Sequence, residues 1–145
     1  MTANKDPIFT IQGDASNNDG TAMNQLVTAA STDYTGIDAD TSLVWTANAT
    51  SGGYVKGIKA KAGGTNTASV ARIYINNGST PTTATNNTFW GEMTLPATTA
   101  IATAATVEPY YPIEQAFPPG FRIYVAIATA VAAGWVFNAV AGQYE

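Results

Sequence analysis

Apolar residues along this chain recur on every second position, in short runs separated by clusters of glycine, proline, asparagine and threonine. In the run Ser69–Asn76 (SVARIYIN), Ala71, Ile73 and Ile75 fall on the core side of an extended chain while Arg72 and Tyr74 face away. Period two with β-branched and aromatic residues predicts strands rather than helices. The same pattern predicts strands over residues 8–12 (after Pro7), 43–48 and 54–62, and over 89–95, ended by Pro96. In 43–48, Leu43, Trp45 and Ala47 share a face. In 54–62, Tyr54 and Ile58 point one way and Val55 and Lys59 the other, with either set inward, and Gly57 suggests a bulge or a close backbone approach. Residues 23–30 read as a strand or a turn and a half of helix; we assign strand. Residues 107–113 (VEPYYPI) are extended, and Pro109 and Pro112 restrict them to an edge strand or polyproline geometry.

The most apolar window is 121–144 (FRIYVAIATAVAAGWVFNAVAGQY), with no charge after Arg122 until Glu145. It is long enough for a membrane span, but it alternates and lacks basic flanks. The alternation favours two antiparallel strands joined near Gly134 into a hairpin, entered through Pro118-Pro119-Gly120. Its second face, with Tyr124, Ala126, Val136 and Val140, is also apolar and is expected to cover a neighbouring subunit. Eight or nine short strands at even spacing, with no sustained helical period, predict one all-β domain. We expect an antiparallel β-sandwich of about eight strands, jelly-roll-like ahead of immunoglobulin-like, over residues 1–145 with an N-terminal arm at about 1–7.

Composition adds a second theme. Charged residues are only 11% of the chain and the net charge is −4. A surface of Thr, Asn and Ser is comfortable against another protein, which points to assembly. Lys56, Lys59 and Lys61 form the single basic cluster, too small for a phosphate footprint, so no nucleic-acid partner is expected. The chain has no Cys and no His, which removes Cys/His zinc sites and His-based triads. Residues 13–20 (GDASNNDG) lack the spacing of a calcium loop, and Asp33, Asp38 and Asp40 make only a minor case for a cation. No cofactor is expected. The N-terminus lacks a secretory h-region, so synthesis in the cytosol is expected.

Candidate chemistry is sparse. Glu92 with Glu108 or Glu114 would form a glycosidase-like carboxylate pair beside Trp90, Tyr110 and Tyr111, yet no spacing motif supports catalysis and no enzyme is expected. Tyr34, Tyr54, Tyr74, Tyr110, Tyr111 and Trp90 include several residues placed off the core face. They suit sugar stacking, with Trp90, Tyr110 and Tyr111 as the platform, or a protein interface; the low charge favours the interface. The eleven-residue loop 77–87 (NGSTPTTATNN) is long enough to suggest partner contact.

The segments VARIYINNGST (70–80), FWGEMTLPATT (89–99) and PPGFRIYVAIATAVAAGWVFNAVAGQYE (118–145) resemble small virion proteins of tailed bacteriophages. They are similar to the capsid decoration, or cement, proteins. The resemblance covers the chain from residue 54 onward and is one of texture. It implies a jelly-roll or related sandwich that docks on the major capsid protein lattice as a homo-oligomer, a trimer ahead of a dimer. It also implies a place on the virion surface after synthesis in the host bacterial cytoplasm. Expected contacts are Lys5, Pro7 and Phe9 of the arm, Asn77, Thr80 and Pro81 of the long loop, and Tyr110, Tyr111 and Tyr144. The alternative is a carbohydrate-binding β-sandwich of a phage fibre or other surface protein. No catalytic, cofactor or metal residue is implied.

Overall fold

The computed structural model describes the backbone at residues 16–17 and 21–22 and the chain from 25 to 144. The strands are β1 (Ser16–Asn17), β2 (Thr21–Ala22), β3 (Gln25–Val27), β4 (Ser42–Thr46), β5 (Gly53–Ala62), β6 (Ser69–Asn76), β7 (Asn87–Leu95), β8 (Tyr110–Phe117), β9 (Arg122–Ile127) and β10 (Trp135–Gln143). β1 and β2 form a small ribbon, and the other eight make two antiparallel sheets of four, ordered β3-β10-β5-β8 and β4-β9-β6-β7. The expected all-β sandwich is therefore what the chain forms. Its pairings nest: β6 with β7, β5 with β8, β4 with β9 and β3 with β10. A long two-stranded ribbon folded over itself in this way is the jelly-roll arrangement. The expected arm and the strand expected over 8–12 lie outside the described residues.

Residues 121–144 are central to the fold but do not form the expected hairpin. β9 lies in one sheet between β4 and β6, while β10 lies in the other between β3 and β5. The connection 128–134 crosses from sheet to sheet, so each apolar strand finds its partners far away in sequence. Side chains such as Ile123, Val125, Ile127, Trp135 and Phe137 are fully buried between the sheets, and each such burial stabilises by about 1.5–3 kcal/mol. No helix of the described residues is long and apolar enough to cross a membrane.

Bulges explain where simple alternation misassigned faces. In β4 the register slips between Leu43 and Trp45, so Val44 and Trp45 are both buried. In β5 the register slips around Lys56 against both neighbours. Val55 and Ile58 consequently both point inward, with Tyr54 and Lys59 outward, a combination that strict alternation does not allow. The bulge suggested by Gly57 is thus present. β8 is an edge strand, one of the two geometries that Pro109 and Pro112 allowed, and Glu114 adopts a left-handed φ of 52° where its register slips. Such irregular edges resist pairing with a further strand.

Candidate functional site

Each sheet has an outward face, and the two are treated differently. On the β4-β9-β6-β7 sheet, Arg72 and Tyr74 point outward as alternation predicted, yet both are buried, at 7% and 0% exposure. The cover is the 31–37 segment of the β3–β4 connection, which crosses the sheet as a strap. Arg72 Nη1 donates to the Ser31 carbonyl at 2.7 Å, and Tyr74 Oη donates to the Asp33 carbonyl at 2.7 Å. The Arg72 guanidinium sits 3.9 Å from the centroid of the Tyr34 ring, while its Nε meets Glu92 at 3.4 Å. Tyr34 packs edge-on against Phe89 at 5.5 Å, and Phe89 against Tyr74 at 5.7 Å. Gly36, at φ 72°, lies so close to the Tyr74 ring that an added Cβ would come within 2.8 Å of it.

The strap holds its own shape through Asp33. Its carboxylate accepts from the Thr35 N–H at 2.9 Å, the Thr35 hydroxyl at 2.6 Å and the Ile37 N–H at 3.0 Å. These bonds, the Thr35 hydroxyl first, hold the Asp33 carboxyl below its ordinary range. Burial pushes the Tyr74 phenol up to about 12. The acidic stretch is thus a structural turn, and among the described residues no cluster of three metal-ligating side chains forms. The sequence signal for the strap was its turn chemistry, D-Y-T-G, which reads as an ordinary loop until the buried Arg72 is seen.

The outward face of the β3-β10-β5-β8 sheet has no such cover from residues 25–144. Leu26 pairs with Val136 and Val136 with Lys61, Asn138 with Lys59, and Val140 with Gly57. Across β8, Lys59 is opposite Tyr110, Gly57 opposite Pro112, and Tyr54 opposite Ala116. Leu26 and Tyr110 are exposed, at 58% and 44%, while Tyr54, Val136 and Val140 are half-buried. Gly57 shapes this surface: a Cβ there would stand 2.5 Å from Cζ and Oη of Tyr110, so its absence lets the ring lie down on the sheet. Desolvation against the sheet, then the Glu114 charge, raises the Tyr110 phenol above its ordinary range. Charge is confined to the β5 lysines and the neighbouring glutamates, with Lys59 and Glu108 paired at 3.6 Å.

The remaining expected site residues scatter. Tyr111 is opposite the buried Ile58 and points between the sheets, its hydroxyl against Gly91 of β7. Trp90 is the extra residue of a bulge in β7, on the other sheet. Trp90, Tyr110 and Tyr111 therefore share no platform, because adjacent strand residues face opposite ways. Glu92 lies on the strapped face, whereas Glu108 and Glu114 lie with the other sheet, so they do not form a carboxylate pair across one cleft. Tyr144 is half-buried, its N–H donating to the Gly52 carbonyl at 3.1 Å. Lys5, Pro7 and Phe9 lie outside the described residues.

The long β6–β7 loop is stapled by its own asparagines. Asn76 Nδ2 donates to Asn87 Oδ1 at 2.8 Å, the Gly78 and Ser79 N–H groups donate to Asn76 and Asn77, and Asn87 Nδ2 donates to the Pro81 carbonyl at 2.7 Å. Asn77 is thereby committed within the loop, and Thr80 and Pro81 are carried on a structured apex. A scan against protein-family models and searches of curated proteins and solved structures found no match to this chain.

Proposed function

We propose that this protein is a structural virion protein of a tailed phage, a decoration protein that docks on the major capsid protein lattice and stabilises the head. The single observation that supports this reading is the open outer face of the β3-β10-β5-β8 sheet, with Tyr110 laid flat over Gly57 beside Tyr54, Val136, Val140 and Leu26. Tyrosine is enriched at protein interfaces relative to the rest of a protein's surface, and here Tyr110 and Tyr54 share the face with Lys59 and Lys61 of the central strand β5. A fold alone hosts many functions, so the weight falls on this surface. The chain works as an oligomer on the virion surface, each copy spanning neighbouring capsid subunits. Binding only to the assembled lattice stabilises that assembly by mass action, and several weak contacts per oligomer multiply into firm retention.

The test is co-sedimentation of purified protein with empty heads, with bound copies counted against the capsid protein. Saturation in fixed proportion to the capsid protein is expected. Retention of only a few copies per head, or none, contradicts the reading. Binding to a glycan array that Tyr110→Ala abolishes would instead favour the sugar-binding alternative.

A further inference from the structure

One pole of the sandwich is built from four connections: residues 28–32, 63–68, 96–107 and 128–134. They contain no charged residue and are mostly alanine and threonine. Asn66, 5% exposed, ties them together. Its amide donates to the Gly134 carbonyl at 2.8 Å, its Oδ1 accepts from the Ala133 N–H at 2.8 Å, and its backbone exchanges two hydrogen bonds with Thr98. The Val131 N–H donates to the Thr28 carbonyl at 3.0 Å, which brings in the fourth connection. This pole is a braced surface of small side chains from which two aliphatic residues project. Ile101 sits on a tight turn closed by a bridge to Ala104, 54% exposed, and Val107 is 51% exposed. Beside that turn lies a shallow cleft of about 180 Å³ lined by Ala97, Thr98, Thr99, Ala105, Thr106 and Val107.

The opposite pole is also nearly free of charge, but its asparagines are spent on internal hydrogen bonds and it presents Thr and Pro. The Ala/Thr pole sets a projecting aliphatic side chain beside a small recess, at whose edge the Lys61 ammonium donates to the Thr106 carbonyl at 2.7 Å. We propose that copies of this chain associate through this pole, the Ile101 side chain of one copy seated in the cleft between Ala97 and Val107 of the next. Copies carrying a net charge of −4 repel one another through their acidic surface, and the four connections of this pole bring them together with no acidic residue at the contact. Ala orders at almost no side-chain entropy cost, which further suits a small contact.

The inference rests on the self-association in the proposed function but not on the capsid lattice, and its test needs no heads. Mass is measured by light scattering and sedimentation over a range of concentrations, with thermal melting to confirm folding. The natural protein is expected to be oligomeric at micromolar concentration. Ile101→Glu in the knob and Ala105→Glu in the cleft are each expected to weaken association at least about tenfold, since each buries an unpaired carboxylate. Ile101→Leu is expected to keep the natural mass, as is Thr82→Glu on the opposite pole. A monomeric natural protein, undiminished association of Ile101→Glu, or equal loss with Thr82→Glu would overturn the proposal. Monomeric Ile101→Glu that still binds heads separates this surface from the lattice-binding face, whereas oligomers that ignore heads would leave this contact standing and sink the lattice reading.

Discussion

The two outward faces of the sandwich begin from similar sequence and end in different states. Both alternate aromatic or aliphatic residues with polar ones, and both carry basic residues and glutamates. On the β4-β9-β6-β7 sheet the chain supplies its own cover. Arg72 and Tyr74 are consumed in holding residues 31–37, and the aromatic rings of Tyr34 and Phe89 close over them. On the β3-β10-β5-β8 sheet, residues 25–144 supply no equivalent, and Tyr110 lies open over Gly57. An exposed aromatic therefore means different things on the two faces. Tyr34, at 55% exposure, is an internal clamp; Tyr110, at 44%, is available to a partner.

The two faces should respond differently to substitution, and the largest effect lies in the core that both share. Trp135→Ala should cost about 3–5 kcal/mol, because the side chain is fully buried between the sheets. Chemical denaturation measures it, and a cost below about 1 kcal/mol would remove β10 from the centre of the core. Arg72→Ala should cost about 2–3 kcal/mol by orphaning the buried Ser31 carbonyl and releasing Tyr34. It should also speed proteolysis within 31–41 while leaving docking on heads unchanged. If it instead abolished docking at full stability, the strapped face would be the functional one.

Tyr74 gives a pH signature. Its folded-state phenol titrates near 12 against an ordinary value of 10. Above pH 10 the unfolded chain therefore loses the proton first. Stability present below pH 10 should fall by about 2–3 kcal/mol as pH rises to 12. Tyr74→Phe should flatten that part of the profile, at a cost of about 1 kcal/mol at neutral pH for the lost hydrogen bond to Asp33. The opposite sign applies to Asp33: held below its ordinary value, it contributes above about pH 4, and that part is lost as pH falls further. The smallest effect on stability is expected on the open face. Val140→Lys and Tyr110→Asp should each change folding by less than about 0.5 kcal/mol yet reduce retention on heads at least tenfold. Large destabilisation with docking intact would reverse the assignment.

The β6 strand was fully legible in sequence, because alternation there runs uninterrupted through SVARIYIN. The sandwich followed from counting such strands and turns. Alternation failed where bulges shift its phase, at Val44–Trp45 and around Lys56. The hairpin expected for 121–144 failed for a different reason. β9 pairs with β4 and β6 and β10 with β3 and β5, and no local pattern encodes partners that lie so far apart in the chain. The strap was illegible because alternation tells which side of a strand Arg72 occupies but not what lies over it. Tyr110 was one of six aromatics of which several were expected off the core face, and it does face outward. Its neighbour Tyr111 was grouped with it by adjacency, although adjacent residues in a strand face opposite ways.

Side-chain oxidation footprinting on free and head-bound protein tests the assignment of faces most directly. Tyr110, Tyr54 and Leu26 should be oxidised in the free protein and protected on heads, while Tyr34 and Phe89 react equally in both. Protection of Tyr34 and Phe89 with Tyr110 and Leu26 still reactive would contradict it.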